Sequence, residues 1–414
     1  MIYHDNRTLE LVNIEKATDH EIEAIVHSPL TESWLRVSLK VERDAPHGIT
    51  EMRIQFTDAP TDKAEHGKLT DTEIARRVGA YVDRLTAADL FSGKVLLARD
   101  GKPFYTKACG LASKAFNVPN RLDTKFNLGS MNKMFTAVAV AQLAQQGKLA
   151  FDDVLVKHLP DYPNKEVASK ITIHQLLTHT SGLGDYFTDK FMETSKDRYR
   201  RIQDFFPLFV DKPLTGEPGK AFRYSNAGFM VLGAVIEKVS GENYFDHVRK
   251  HIYKPSGMSN TDAYEMDRDT PNLAIGYTQG RMGGSGAADG PRNNLFLQVV
   301  KGGPAGGGFS TVEDLLRFDI ALRNGKLLGK RHAELVLAGK VNPVRRGNAK
   351  YAYGFSDEPY RGTRIVGHGG GFPGINGQLD VYHDKGYTVA VLSNYDPPAD
   401  QRVAEKAKAL ITQE

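Results

Sequence analysis

A serine and a lysine three residues apart, Ser130 and Lys133, stand at the start of a predicted helix. A spacing of three brings two side chains onto one helical face. The following segment, 134–146, is apolar on nearly every side and precedes Gly147, which predicts a buried helix closed by a glycine cap. A helix N-terminus would stabilise an alkoxide and the oxyanion it creates. A lysine desolvated against this helix could have its pKa lowered enough to accept the serine proton.

The pair alone also fits an ordinary structural role, because a serine before a helix is most often an N-cap. Two later polar segments favour the catalytic interpretation. One is Tyr224-Ser225-Asn226, which precedes a second long apolar helix predicted at about 227–239. The other is His368-Gly369-Gly370, among the strands predicted near the end of the chain. The order and separation of the three segments carry more weight than any one of them.

The composition is that of an ordinary globular protein, with 40% hydrophobic and 25% charged residues in a chain of 414. This length allows two or three domains and a sizeable core. The formal charge is +4, yet the two signs are interspersed without runs of like charge, so nucleic-acid binding is not expected. The single cysteine, Cys109, excludes an intrachain disulfide and a cysteine-rich metal site.

No segment approaches the roughly 18 apolar residues of a transmembrane helix, and the N-terminus shows no apolar signal region. The sequence as written is therefore expected to be cytoplasmic. A processed or truncated start would instead allow a periplasmic or secreted protein, so the compartment is left open. The oligomeric state is left open as well.

The order of the predicted elements indicates a small module followed by one large domain. Residues 1–57 show the period-two alternation of strands and predict a strand-rich accessory module, and residues 58–69 form a polar linker. A helix after Thr70 begins the main domain, 70–414. Strands near both of its ends, with helices between them, predict an α/β (α+β) fold: an antiparallel sheet flanked by helices, with a helical subdomain inserted at about 120–330.

Two histidines and one long loop are further candidates for a site. His174 and His179 accompany a short helix predicted at 171–177, and without a partner at ligand spacing we expect them to form hydrogen bonds at its end. Residues 268–308 are rich in glycine and asparagine, which predicts a long surface loop bordering a binding cleft. The residues themselves indicate no metal site.

Taken in order, S-x-x-K at 130–133, Y-x-N at 224–226 and H-x-G at 368–370 resemble the serine β-lactamase and penicillin-binding-protein superfamily. The similarity covers about residues 70–414 and includes flanking segments at 177–183 and 306–311. It implies a β-lactamase/transpeptidase-like fold. It also implies an acyl-enzyme that water then hydrolyses, with no metal and no cofactor.

The resemblance assigns a role to each matching residue. Ser130 would be the acylated nucleophile, Lys133 its base and Tyr224 the proton relay to the leaving group. Asn226 would orient Lys133 and a substrate amide. The strand after His368 would lie along the cleft, with the backbone N–H groups of Ser130 and Gly371 forming the oxyanion hole. The substrate-binding residues expected on this basis are Asn226, His368, Gly369, Gly370 and Gly371.

The third motif departs from that of class C β-lactamases, because His368 stands where those enzymes have a lysine. A histidine is mostly neutral at pH 7, so a substrate carboxylate would lose a permanent cation. This favours the H-x-G members: serine D-Ala-D-Ala carboxypeptidases, D-aminopeptidases and β-lactamase-like esterases.

We therefore expect a serine hydrolase of small esters or amides, with esterase activity preferred over peptidase or weak β-lactamase activity. The alternative from another class is a non-hydrolytic penicillin-recognising sensor or scaffold. Intact Ser130, Lys133 and Tyr224 argue against that alternative. The partner is accordingly a small-molecule ester, amide or β-lactam.

An uncharged short-chain ester should be hydrolysed with a higher kcat/KM than a chromogenic cephalosporin at neutral pH. The cephalosporin carboxylate would lack a charge-assisted contact, which is roughly twice as strong as a neutral hydrogen bond. Steady-state kinetics on both substrates provide the measurement. A preference for the cephalosporin at every pH tested would contradict this expectation.

Overall fold

The computed structural model describes residues 8–57, 67–279, 290–343 and 348–413. The chain forms two compact units, Met1–Leu90 together with Gln413–Glu414, and Phe91–Thr412. Most of the predicted linker, 58–69, lies outside the described residues, as does the middle of the predicted loop 268–308. The units divide after the first helix, whereas the sequence places the division in the polar segment before it; the domain boundary stays a prediction.

The first unit contains a four-stranded antiparallel sheet in the order β1-β2-β3-β4 and one helix, which confirms a strand-rich N-terminal module. Its elements are β1 Glu10–Ala17, β2 Glu21–Ser28, β3 Ser33–Val41, β4 Ile49–Thr57 and α1 Asp71–Ala87. The hydroxyl of Thr70 caps α1 by accepting from the Glu73 backbone N–H at 3.2 Å. The Tyr81 hydroxyl of this helix donates to the Thr31 carbonyl at 2.7 Å, so the helix belongs to this unit.

The second unit is organised on a seven-stranded antiparallel sheet. Its strands are β5 Gly93–Arg99, β6 Lys102–Cys109, β7 Leu111–Ser113, β8 Val118–Pro119, β9 Phe126–Asn127, β10 Tyr277–Thr278, β11 Arg292–Asn293, β12 Phe309–Ser310, β13 Lys350–Tyr351, β14 Ser356–Tyr360, β15 Thr363–Phe372, β16 Ile375–Tyr382 and β17 Tyr387–Ser393. The main sheet has the order β13-β14-β15-β16-β17-β5-β6, and the remaining strands form three short pairs. The first strands of this unit therefore pair with its last.

All the described helices of this unit except the last lie between β6 and β13, and together with the sheet they confirm an antiparallel sheet flanked by helices. The helices of this unit are α2 Asn132–Gln145, α3 Leu155–His158, α4 Lys165–Lys170, α5 Ile173–Leu177, α6 Asp189–Glu193, α7 Asn226–Ser240, α8 Tyr244–Val248, α9 Lys254–Ser256, α10 Val312–Arg323, α11 Lys330–Leu337 and α12 Ala399–Ile411. Short 3-10 turns cover Gly129–Met131, Lys196–Arg198 and Ile202–Leu208, and a π-helical turn covers Arg249–Tyr253. No helix in these ranges is long and apolar enough to cross a membrane.

The core lies around α2, in which every residue from Asn132 to Ala141 is buried, as the sequence predicts. Phe135 of this helix makes edge-to-face contacts with Tyr253 and Phe318 at ring-centroid distances of 5.2 and 4.9 Å. Helix α7 packs beside α2 and ends at Gly241, whose φ is +71°. The two apolar helices fix the polar groups that stand at their N-termini.

Gly354 holds the segment after β13 against α2. Its φ is +70°, and a Cβ there would lie 2.6 Å from the carbonyl oxygen of Lys133 and 2.8 Å from Cβ of Ala137. Only a residue without a side chain allows this approach of backbone to helix.

Gly354→Ala should destabilise the protein more than Gly147→Ala does. Both glycines have φ of +70°, but a Cβ on Gly147 would meet nothing within 4 Å. We expect a loss of about 1 kcal/mol in free energy of unfolding at Gly147 from backbone strain alone. At Gly354 the added contact with backbone raises the loss to about 2–4 kcal/mol. Denaturant unfolding followed by circular dichroism provides the measurement, and equal losses would contradict the expectation.

Candidate active site

Ser130 lies in the 3-10 turn Gly129–Met131, which leads directly into α2. Backbone bonds fix this turn: the Leu128 N–H donates to the Gly308 carbonyl at 2.7 Å, and the Gly307 N–H donates to the Gly129 carbonyl at 3.2 Å. Gly129 itself has φ of +49° and donates its N–H to Oδ1 of Asn127 at 2.9 Å. The serine is therefore held on a rigid turn at the head of the buried helix.

The amine of Lys133 is completely buried and lies within hydrogen-bond distance of three oxygens. Nζ is 2.7 Å from Oδ1 of Asn226, 2.6 Å from the carbonyl oxygen of Ala305 and 3.1 Å from Oγ of Ser130. Nδ2 of Asn226 donates to Asp185 at 2.8 Å, which fixes Oδ1 toward the lysine. Amide and peptide carbonyl oxygens only accept, so a neutral amine directs both N–H bonds to them and its lone pair to the serine hydroxyl.

Burial lowers the pKa of Lys133 to about 7, and the carboxylate of Asp185 opposes this effect by raising it. The amine also faces the rings of Tyr224 and Phe229, at 4.8 and 5.5 Å from their centroids. A large fraction of the lysine is therefore neutral near pH 7, and in that form it can take a proton from Ser130.

A cleft opens beside Ser130, and none of the described residues lining it carries a charge. The lining residues are Asn127, Gly129, Ser130, Tyr186, Phe187, Phe191, Tyr224, Asn226, Leu297, Gln298, Val299, Ala305, Gly306, Gly307, Gly371, Phe372 and Ile375. Phe187 and Phe372 stack with centroids 5.7 Å apart, which builds an aromatic wall from two distant segments. Such a lining suits an uncharged, apolar ligand.

The third motif lies on the second half of β15. Gly367 is the last residue of this strand that pairs with β14, and the motif begins at the next residue. A Cβ on Gly370 would lie 2.0 Å from the Leu128 carbonyl oxygen and 3.1 Å from the Ser130 nitrogen. Because there is no side chain, the strand runs directly against the turn that carries Ser130. Gly371, the next residue, lines the cleft.

The ring of His368 is buried and is absent from the described cleft lining. Its Nε2 lies 3.0 Å from the hydroxyl of Tyr351, and Nε2 of His179 lies 3.1 Å from the same hydroxyl. The structure thus brings Ser130, Tyr224, Asn226 and Gly371 to the cleft with Lys133 beneath them, and it places the His368 ring against Tyr351.

Several residues of this site carried no recognisable signal in the sequence. Asp185, the carbonyl of Ala305 and the hydroxyl of Tyr351 reach the site only through folding. The segment 177–183, which is similar to sequences of the superfamily, indicates that the region around His179 and Asp185 belongs to the site. It does not indicate which residues these two side chains contact. For His179 the sequence predicts only hydrogen bonds at the end of a helix.

One group of side chains in the described part of the chain has the composition of a metal site, and it lies outside the cleft lining. It comprises Glu242, His247 and His251, whose candidate ligand atoms lie within 4.8 Å of one another. Both rings lie 2.8 Å from the same carboxylate oxygen, and Lys250 pairs with the other at 2.5 Å. These contacts form an ordinary hydrogen-bonded network around the Glu242 carboxylate.

Comparison with known proteins gives the family of the chain. The Beta-lactamase family profile matches residues 74–413. Penicillin-binding protein 4* of Bacillus subtilis (strain 168) is 31% identical over 335 residues, which is 78% of this chain and 72% of that protein.

Two solved structures extend the comparison. The penicillin binding protein from Bacillus halodurans is 30% identical with a TM-score of 0.71, covering 83% of this chain and 100% of the other. A D-stereospecific amidohydrolase from Streptomyces sp. is 27% identical with a TM-score of 0.66, covering 81% and 98%. The resemblance inferred from the three motifs is confirmed: the chain belongs to the Beta-lactamase family of serine hydrolases.

Proposed function

We propose that the protein hydrolyses small neutral esters through an acyl-enzyme on Ser130. The observation that carries the proposal is the position of the Lys133 amine, buried and held by two acceptors so that its lone pair faces Oγ of Ser130. That arrangement activates a serine hydroxyl without a histidine or a metal ion.

The reaction follows as a double displacement. Oγ of Ser130 attacks the ester carbonyl while its proton passes to Nζ of Lys133. The oxyanion accepts hydrogen bonds from the N–H groups of Ser130 and Gly371. When the tetrahedral intermediate collapses, the alcohol leaves with a proton delivered from Lys133 through the Tyr224 hydroxyl. Water then attacks the acyl-enzyme and gives a proton to Lys133. When this second tetrahedral intermediate collapses, the bond between Oγ and the acyl carbon breaks, the proton returns to Oγ of Ser130, and the acid leaves.

The cleft supports a neutral ester over a β-lactam. No charged side chain occurs among its described lining residues, so a substrate carboxylate entering it would lose water without gaining a cation. The aromatic wall of Phe187 and Phe372 would instead contact an apolar acyl or aryl group.

A second candidate activity is hydrolysis of D-amino acid amides. The similarity to the Streptomyces D-stereospecific amidohydrolase, at 27% identity, favours it. The same nucleophile and base would serve an amide. Assays with p-nitrophenyl butyrate and with D- and L-phenylalanine amide separate the two activities, because an esterase would leave both amides largely unreacted.

Ser130→Ala and Lys133→Ala should each lower kcat for p-nitrophenyl butyrate by at least about 10³-fold, because nucleophile and base act as a unit. Tyr224→Phe should retain a small fraction of the activity. Ser169→Ala and Lys148→Ala, at exposed positions, serve as matched controls. Mass spectrometry after fluorophosphonate treatment should find the label on Ser130 in the wild type. Hydrolysis by Ser130→Ala at the wild-type rate would refute the mechanism, and an unlabelled wild type would favour a non-hydrolytic role.

The pH dependence of kcat/KM should follow the protonation of the Lys133 amine. Only the neutral amine is a base, so kcat/KM for a neutral ester should rise with pH through about 7 and level off above it. The Asp185 carboxylate raises the pKa of Lys133, so Asp185→Asn should move this rise to lower pH, by on the order of one pH unit.

Asp189→Asn removes a charge from the same segment at an exposed position and is the matched control for Asp185→Asn. Its profile should follow that of the wild type. A rise that stays at the same pH in Asp185→Asn would show that another group controls the profile.

A further inference from the structure

Two histidines and a tyrosine form a continuous series of buried contacts behind the cleft. The Ser225 backbone N–H donates to Nδ1 of His179 at 3.1 Å. Nε2 of His179 lies 3.1 Å from the Tyr351 hydroxyl, which lies 3.0 Å from Nε2 of His368. Nδ1 of His368 lies 2.5 Å from the carbonyl oxygen of Gly369. All three side chains are at most 6% exposed.

The two ends of this series fix the direction of every bond in it. A backbone N–H can only donate, so Nδ1 of His179 carries no proton, and the Nε2–H of that ring donates to Tyr351. A carbonyl oxygen can only accept, so Nδ1 of His368 carries a proton. The Tyr351 hydroxyl, which accepts from His179, directs its own proton to Nε2 of His368. The tyrosine hydroxyl then accepts one bond and donates one. Within this series the two rings therefore carry a proton on opposite nitrogens, Nε2 in His179 and Nδ1 in His368.

The series joins the two walls of the active site. At one end, His179 holds the backbone between Tyr224 and Asn226, and its ring lies on the Tyr224 ring with centroids 4.2 Å apart. His179 has φ of +57°, a conformation that only surrounding contacts maintain in a non-glycine residue. At the other end, Gly369 lies on β15 two residues before Gly371, which lines the cleft.

We propose that Tyr351, together with His179 and His368, positions the Tyr224–Asn226 segment relative to the glycine strand that faces Ser130. The inference rests on the proposed hydrolysis at Ser130. Tyr351 is a positioning residue that acts through the groups it holds. His368 accordingly contributes a directed hydrogen bond from behind the cleft.

The chain supplies a matched control two residues further along. The Tyr353 hydroxyl lies 2.7 Å from Nδ1 of His174, and Tyr353 is 4% exposed. Tyr353 and His174 therefore form a second tyrosine–histidine pair, in which the tyrosine is buried and the histidine is half-buried. Neither residue is among the described cleft-lining residues. Loss of the Tyr353 hydroxyl should cost packing and a hydrogen bond without changing the site.

The kinetic test compares Tyr351→Phe with Tyr353→Phe on p-nitrophenyl butyrate. A displacement of catalytic groups by a fraction of an ångström lowers the rate of the chemical step, so Tyr351→Phe should lower kcat about 10- to 100-fold with KM changed little. Tyr353→Phe should stay within about twofold of the wild type on both constants. Equal effects of the two variants on kcat, or a change confined to KM in Tyr351→Phe, would overturn the positioning role.

A second measurement does not depend on catalysis. Nitrogen-15 spectra of the imidazole rings, assigned with His179→Gln and His368→Gln, should show the proton on Nε2 of His179 and on Nδ1 of His368. Tyr351→Phe should change the ring signals of both histidines and leave those of His174 in place. A proton on Nε2 of His368 would overturn the proposed direction of the series.

The two measurements separate this inference from the proposed function. If the wild type shows the expected tautomers but hydrolyses no ester, the proposed function fails and the hydrogen-bonded series stands. If the ester is hydrolysed and Tyr351→Phe matches Tyr353→Phe, the positioning role fails and the proposed function stands.

Discussion

Burial of the Lys133 amine is the constraint on which the rest of the site depends. An amine without water must find its hydrogen-bond partners in the protein, and here these come from α7, through Asn226, and from the loop that carries Ala305. The same burial lowers the pKa of the amine to about 7. The apolar surface of α2 is therefore a requirement of the chemistry as well as of the fold, since a solvated lysine would remain protonated at neutral pH.

Close approach of backbone to backbone is the second constraint. The turn around Ser130 lies between the β15 strand and the glycine-rich segment before β12, and both surfaces meet it without side chains. A Cβ on Gly306 would lie 2.7 Å from the Gly129 carbonyl oxygen, and one on Gly370 would lie 2.0 Å from that of Leu128. These glycines bring two backbone segments directly against the turn that carries Ser130, and the proposed oxyanion would need donors that are already oriented there.

The remaining residues of the site fall into two groups: those that line the cleft and face the substrate, and those behind the cleft that hold the lining residues in position. Neutral amides, backbone groups and aromatic rings face the cleft, and this composition supports the proposed preference for uncharged substrates. The buried contacts of His179, Tyr351 and His368 lie behind it. The histidine of the third motif can thus both donate and accept hydrogen bonds in support of the site. A lysine could not replace it in this role, because an ammonium group only donates hydrogen bonds.

The sequence by itself determined the elements and the family. Apolar runs defined α2 and α7, period-two alternation defined the N-terminal strands, and three motifs in order pointed to the serine β-lactamase superfamily. These features are local or ordered along the chain, so one sequence contains them. Only the tertiary structure decided that Asp185 and Ala305 contact the motif residues, that Phe187 stacks on Phe372, and that the His368 ring packs against Tyr351. Those contacts join segments far apart in the chain through sheet register and helix packing, and no spacing within the sequence encodes which side chains then meet.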